Sequence, residues 1–270
     1  MTRFKYCRSV CARLSGFFVL ALSAAVCAAP PASPVIAIII DDLGQQRDYS
    51  LAVTRLPGPV ACSVLPHTPW AAQVSAAAAT SGKEVMLHLP LQAMETTRLA
   101  GIGEISLDNS REELQQILAA DLASVPNAVG VNNHMGSLIT RHPGHMDWLM
   151  AEIATYQHLF FVDSYTTAQS IAADMAAEHG IPVTRRNIFL DNEPGEENLK
   201  HEYRRLLNIA RKQGFAVAIG HPYPETTAFL QQVLPMLPEQ GVRLVSVAEL
   251  IAYQQQLQTA KVGSIGPTEL

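Results

Sequence analysis

The chain has 270 residues, 48% hydrophobic and 16% charged, enough apolar material to bury one large core. That composition excludes a disordered, collagen-like or small disulfide-stapled protein. A formal charge of −5 with no basic stripe leaves nothing to neutralise a phosphate backbone, so no nucleic-acid partner is expected.

Residues 1–28 read as a signal peptide. Arg3, Lys5, Arg8 and Arg13 form a basic start, an apolar stretch runs from Leu14 to Val26, and small residues follow around Ala28. The stretch is short of the ~20 apolar residues that a membrane span needs. Export to the periplasm with cleavage and no stable membrane span is therefore the expectation; an uncleaved N-terminal anchor is the alternative. Cleavage removes Cys7, Cys11 and Cys27 and leaves Cys62 without a partner for an intramolecular disulfide.

A Pro/Ala linker at 29–34 leads into a domain expected over 35–258, with a flexible tail at 259–270. The domain opens on Val35-Ile36-Ala37-Ile38-Ile39-Ile40, apolar at every position, as in a strand covered on both faces. Similar runs at Val60–Leu65, Glu84–Leu89, Ala128–Val131, Leu159–Val162, Asn187–Leu190, Phe215–Ile219 and Val242–Val247 give about eight candidate strands. Helical stretches separate them. Ser110 with Glu113 three residues on caps one, Gly180 ends Ile171–His179, and Gly214 ends Glu196–Gln213. Pro224–Gln240 and Ala248–Gln258 read as amphipathic cover helices. Repeated βα units favour an α/β fold with one closed or nearly closed (β/α) barrel. The first strand is followed by no Gly-x-Gly-x-x-Gly, so an open dinucleotide-binding sheet has no support.

Polar residues collect where these apolar runs end: Asp41-Asp42, His67, His88, Asn132-Asn133-His134, Asp163, Asp191 and His221. In a parallel α/β fold those ends share one face, where active sites are built. Asp42, His88 and His134 offer a one-carboxylate, two-histidine metal set with room for water. Asp41 can then serve as general base, and His221, oriented by a carboxylate such as Asp163, can protonate a leaving group. Asn132, Asn133 and His67 are candidate substrate contacts. Asp191 either lines the pocket or caps the next helix. Trp70 either stacks on a sugar or packs in the core. An Asp-Asp pair after a strand also serves as an ordinary turn or cap; convergence of several such groups on one face is what favours a site.

Ile40-Asp41-Asp42-Leu43-Gly44, Leu87-His88-Leu89-Pro90, Gly130-Val131-Asn132-Asn133-His134-Met135-Gly136-Ser137, Phe161-Val162-Asp163-Ser164 and Ile219-Gly220-His221-Pro222 together resemble the divergent polysaccharide deacetylases of the YibQ type, a distant branch of the NodB-like carbohydrate esterases. The resemblance implies a distorted (β/α) barrel and a divalent metal, Zn²⁺ first. It implies Asp41 as base, Asp42 and His88 as ligands, and Asp163 and His221 as the acidic residue and catalytic histidine of the last motifs. Gln92 stands where the typical family has its second metal histidine, and Asn132-Asn133-His134 replaces an arginine-containing motif. His134 is inferred to supply the missing imidazole. The expected activity is removal of acetyl groups from a cell-envelope carbohydrate. A glycan-binding or regulatory protein that keeps the fold without catalysis is the alternative.

Overall fold

The computed structural model describes residues 1–2, 33–95 and 100–264; the expected signal peptide lies outside them from residue 3 onward. From Ser33 the chain forms one compact unit. Its elements run β1 (Val35–Leu43), α1 (Arg47–Val53), β2 (Ala61–Val64), α2 (Ala71–Thr80), β3 (Val85–Leu91), α3 (Arg111–Ser124), β4 (Ala128–Met135), α4 (Pro143–Thr155), β5 (Phe160–Asp163), α5 (Ala172–Glu178), β6 (Val183–Arg185), β7 (Ile188–Phe189), α6 (Glu196–Gln213), β8 (Phe215–Gly220), α7 (Pro224–Val233), β9 (Arg243–Leu244) and α8 (Val247–Ser264).

The sheet order is β6-β5-β4-β3-β2-β1-β8-β7, with β9 on the start of β1 and every pairing parallel. Among the described residues β6 and β7 stand at opposite ends with no ladder between them, so this is a distorted (β/α) barrel left incompletely closed. The alternation of β1 explains its unbroken apolar run. Ile36, Ile38 and Ile40 face the surrounding helices, while Val35, Ala37 and Ile39 meet Met86, Val162, Val217 and Ile219 on the inner face. Val247, Leu250 and Ile251 of α8 also pack into that inner face, and Thr184 of β6 donates to Gln254 of α8 at 2.9 Å.

Local signals set the boundaries. Ser110 and Glu113 form a reciprocal capping box at α3, and Gly214, with φ of 99°, ends α6 in the left-handed conformation. The expected helix over Pro224–Gln240 stops at Val233 and continues as two 3-10 turns, Leu234–Met236 and Pro238–Gln240. Pro235 and Pro238 remove the amide hydrogens that a longer α-helix would use. α8 runs on to Ser264, past Thr259 where a flexible tail is expected, and residues 265–270 lie outside the described residues. β6 is an addition to the expected strands. Val183-Thr184-Arg185 follows a proline and offers one apolar side chain, too little to read as a strand in isolation.

Candidate metal centre and acid–base pair

Asp41 and Asp42 end β1, and in a regular strand they would point to opposite faces. Two features change that. The pairing of β1 with β2 shifts register between Ile40 and Leu43, and Asp42 adopts φ of 58°, a left-handed conformation that Asp tolerates better than most residues. Both carboxylates thereby reach His88: Asp41 Oδ2 lies 3.6 Å and Asp42 Oδ1 3.2 Å from its Nε2. Gly44 follows with φ of 103°, and a Cβ there would collide with the Thr68 hydroxyl, so glycine alone fits this exit from the strand.

His88 and His134 come from neighbouring strands. β3 pairs with β4 so that His88 faces Asn132 and Pro90 faces His134. The three atoms Asp42 Oδ1, His88 Nε2 and His134 Nδ1 form a triangle with edges of 3.2, 3.0 and 3.1 Å. Ligands ~2.0–2.1 Å from a tetrahedral zinc ion stand about 3.3 Å apart. Asp42 Oδ1 is buried and makes no hydrogen bond of good geometry, so it is an orphaned acceptor beside two imidazole nitrogens. Burial pushes the Asp42 carboxyl up, but the imidazoles of His134 and His88 outweigh it and hold it well below the usual range. Burial likewise pulls His88 down, and the charges of Asp41 and Asp42 outweigh it and raise its basicity. The donor set and its demand for positive charge fit a divalent cation.

Asn132 and Asn133, expected to touch substrate, are turned into the protein instead. Asn132 is fully buried; its Nδ2 donates to Asp41 Oδ1 at 2.9 Å and to Ser164 Oγ at 3.2 Å. Its Oδ1 accepts from Ser63 Oγ at 2.6 Å and lies 3.0 Å from His88 Nδ1. Asn133 donates to the Met135 carbonyl and accepts from the Ser164 amide, tying the ends of β4 and β5 together. Their hydrogen-bonding atoms are occupied, which is the reason for the correction.

A second correction concerns the orienter of His221. His221 Nδ1 donates to Asp191 Oδ1 at 2.8 Å, while Asp191 Oδ2 accepts from the His221 backbone amide and from Thr226 Oγ1, each at 2.7 Å. β7 pairs directly with β8, which brings Asp191 beside His221. Asp163 ends β5, five ladders from β8, and is spent on the Tyr165 amide, Ser170 Oγ and Arg185 Nε. Burial pulls the His221 imidazole down, but the hydrogen bond and charge of Asp191 outweigh it and raise it to about 9. His221 Nε2 lies 3.9 Å from Asp42 Oδ2, facing the three-atom triangle. Its ring lies 6.1 Å from that of Phe189, nearly parallel to it, and 5.5 Å from that of Tyr223.

Four further residues take definite places. Arg186, which the sequence reading missed, lays its guanidinium 3.6 Å over Phe189 and donates to the carbonyls of Ser164 and Tyr165. Burial lowers it to about 10, leaving it cationic at neutral pH. A cavity of about 610 Å³ opens beside it, lined also by Phe189, Asn192 and His201. An adjacent cationic pair, Arg185-Arg186, between two strand signals was the available clue. His67 makes a 2.7 Å contact from Nε2 to Asp121 of α3 and touches none of the groups above. Gln92 uses its side-chain oxygen to accept from the Leu107 amide, anchoring the segment after β3. Trp70 lies 38% exposed with Arg47 above its ring, so it is not a core residue.

The divergent polysaccharide deacetylase family matches residues 38–251, and the chain belongs to it. It is 34% identical over 233 residues to the uncharacterized protein YibQ of Escherichia coli, covering 86% of this chain and 70% of that one. An uncharacterized protein of Haemophilus influenzae is 34% identical over 215 residues, 80% of this chain and 76% of its own. Among solved structures, an uncharacterized protein from Agrobacterium tumefaciens superposes with a TM-score of 0.77 at 22% identity, covering 82% of this chain and 91% of that one, a likeness of fold.

Proposed function

We propose that the protein is an exported, metal-dependent hydrolase that removes an N- or O-acetyl group from a cell-envelope carbohydrate. The observation that carries this reading is the convergence of Asp42 Oδ1, His88 Nε2 and His134 Nδ1, with Asp41 on one side and the His221–Asp191 pair on the other. Asp42, His88 and His134 would hold the cation, Zn²⁺ first. Once bound, it supplies Lewis acidity toward an acyl oxygen and a water molecule.

The remaining chemistry belongs to side chains. Asp41 Oδ1 is tied to Asn132, leaving Oδ2 to take the proton of an attacking water. His221, kept protonated by Asp191, donates through Nε2 to the departing amine or alcohol. The Phe189 and Tyr223 rings near His221 favour its cationic form. Periplasmic export rests on the charge and hydropathy pattern of residues 1–28.

The test measures metal content and acetate release together, on purified protein reconstituted with Zn²⁺ and offered acetylated chitooligosaccharides and peptidoglycan fragments. One equivalent of metal and acetate release that disappears in Asp41→Asn are expected, and His88→Ala or His134→Ala should abolish metal retention. Full metal occupancy in both histidine variants defeats the ligand assignment. Stoichiometric metal without acetate keeps the metal site and points to a different substrate or a binding role.

A further inference from the structure

One amide links the proposed base to a proposed metal ligand. Asn132 pairs across the ladder with His88, so the two side chains leave neighbouring strands on the same face. The chemistry of its partners fixes which way the amide points. A carboxylate only accepts hydrogen bonds, so the NH₂ end of Asn132 must face Asp41 Oδ1, 2.9 Å away, and its second hydrogen meets Ser164 Oγ. The carbonyl end then faces the Ser63 hydroxyl and His88 Nδ1. An amide oxygen cannot donate, so the proton of that contact sits on Nδ1. The lone pair of a neutral His88 is thereby left on Nε2, the atom that faces Asp42 and His134.

We infer that Asn132 is a positioning residue with two simultaneous tasks: it selects the His88 tautomer that can ligate a metal, and it holds Asp41 in the orientation of a base. The second task rests on the deacetylase reading; the first requires only that the site binds metal. Few replacements serve both ends. An arginine or lysine offers no acceptor to His88, an ionised aspartate offers no donor to Asp41, and leucine offers neither. The side chain is fully buried and both its donors and its acceptor oxygen are engaged, so it acts through Asp41 and His88 and not on a ligand.

These requirements predict a separation of function. Asn132→Asp keeps an acceptor for His88 Nδ1 but places a second carboxyl oxygen against Asp41, so the two share a proton and Asp41 loses its character as a base. Asn132→Leu removes both contacts. In the full chain, Zn²⁺ affinity is measured by competition with a chromogenic chelator, and acetate release is measured at saturating Zn²⁺. Visible spectra of the Co²⁺-loaded proteins report the ligand field. Asn132→Leu should lose roughly 10- to 100-fold in Zn²⁺ affinity, while Asn132→Asp stays within about threefold of the parent and keeps its Co²⁺ spectrum. Asn132→Asp should nonetheless lose about 100-fold or more in acetate release with the metal site full.

Thermal unfolding checks the fold. If Asn132→Leu fails to fold, Asn132→Asp carries the test alone, because a merely structural role gives no reason for metal affinity and turnover to part. Loss of metal in Asn132→Asp as severe as in Asn132→Leu overturns the tautomer assignment. Parental acetate release by Asn132→Asp at saturating Zn²⁺ overturns the assignment to Asp41. A parent protein that binds Zn²⁺ but releases no acetate defeats the hydrolase reading and the second task, leaving the affinity contrast to decide the first. A parent that binds no Zn²⁺ defeats both.

Discussion

Two of the histidine–aspartate pairs on the strand-end side of this molecule, His221 with Asp191 and His67 with Asp121, have opposite electrostatic characters. In the pair of His221 with Asp191, the carboxylate accepts three hydrogen bonds, from the His221 ring, the His221 amide and Thr226. In the pair of His67 with Asp121, the carboxylate is equally buried but has one side-chain contact, at Oδ1, and Oδ2 has no partner. The first aspartate can afford its charge and lends it to the imidazole, which rises to about 9. Burial without compensating donors pushes the second aspartate up to about 8, so it holds a proton at neutral pH. The number of donors around the carboxylate, not the identity of the residue, decides how far burial raises it.

The comparison breaks most visibly in catalysis. His221→Ala should cost about 10²- to 10⁴-fold in acetate release, the usual range for a lost general acid, while His67→Ala should stay within about threefold because its ring touches none of the proposed machinery. Steady-state assays on both variants decide it; equal losses would place His67 in the reaction. A smaller effect is expected from Asp191→Asn, which keeps the shape and removes the charge. In the metal-free protein the His221 titration, followed by NMR, should fall from about 9 toward the ordinary histidine value. An unchanged midpoint would mean that Asp41 and Asp42, and not Asp191, support the imidazolium.

Much of this arrangement was legible in the sequence, for physical reasons that also mark its limits. The unbroken apolar run of Val35–Ile40 and the capping residues Ser110 and Gly214 are local features, and local features read directly. The convergence of Asp42, His88 and His134 follows from parallel strands ending on one face. Which strand neighbours which is not local. β7 is two residues long, and nothing in Ile188-Phe189 announces that it pairs with β8, so Asp163 was named to orient His221 while Asp191 was read as lining the pocket or capping a helix. A polar residue at a strand end also does not declare whether it faces solvent or a neighbouring side chain. Asn132 and Asn133 read as pocket residues because their partners, Ser63 and Ser164, lie on other elements.

The buried Asp121 offers the finest test, because its effect is on stability and its sign is unusual for an acid. Its folded pKa of about 8 lies above the unfolded value near 3.9, so between those limits the folded protein binds a proton that the unfolded chain releases. Unfolding free energy then falls as pH rises through that window, by up to about 1.4 kcal/mol per pH unit, and becomes insensitive to this group above it. Asp121→Asn carries a neutral side chain of the same shape at every pH and can still reach His67 Nε2. Chemical denaturation of both proteins at pH 5 and pH 8 isolates the term, since every other titrating group is shared. The parent should lose more stability than Asp121→Asn on going from pH 5 to pH 8. Equal losses would mean that Asp121 is already ionised at pH 5, and the two pairs would then be alike.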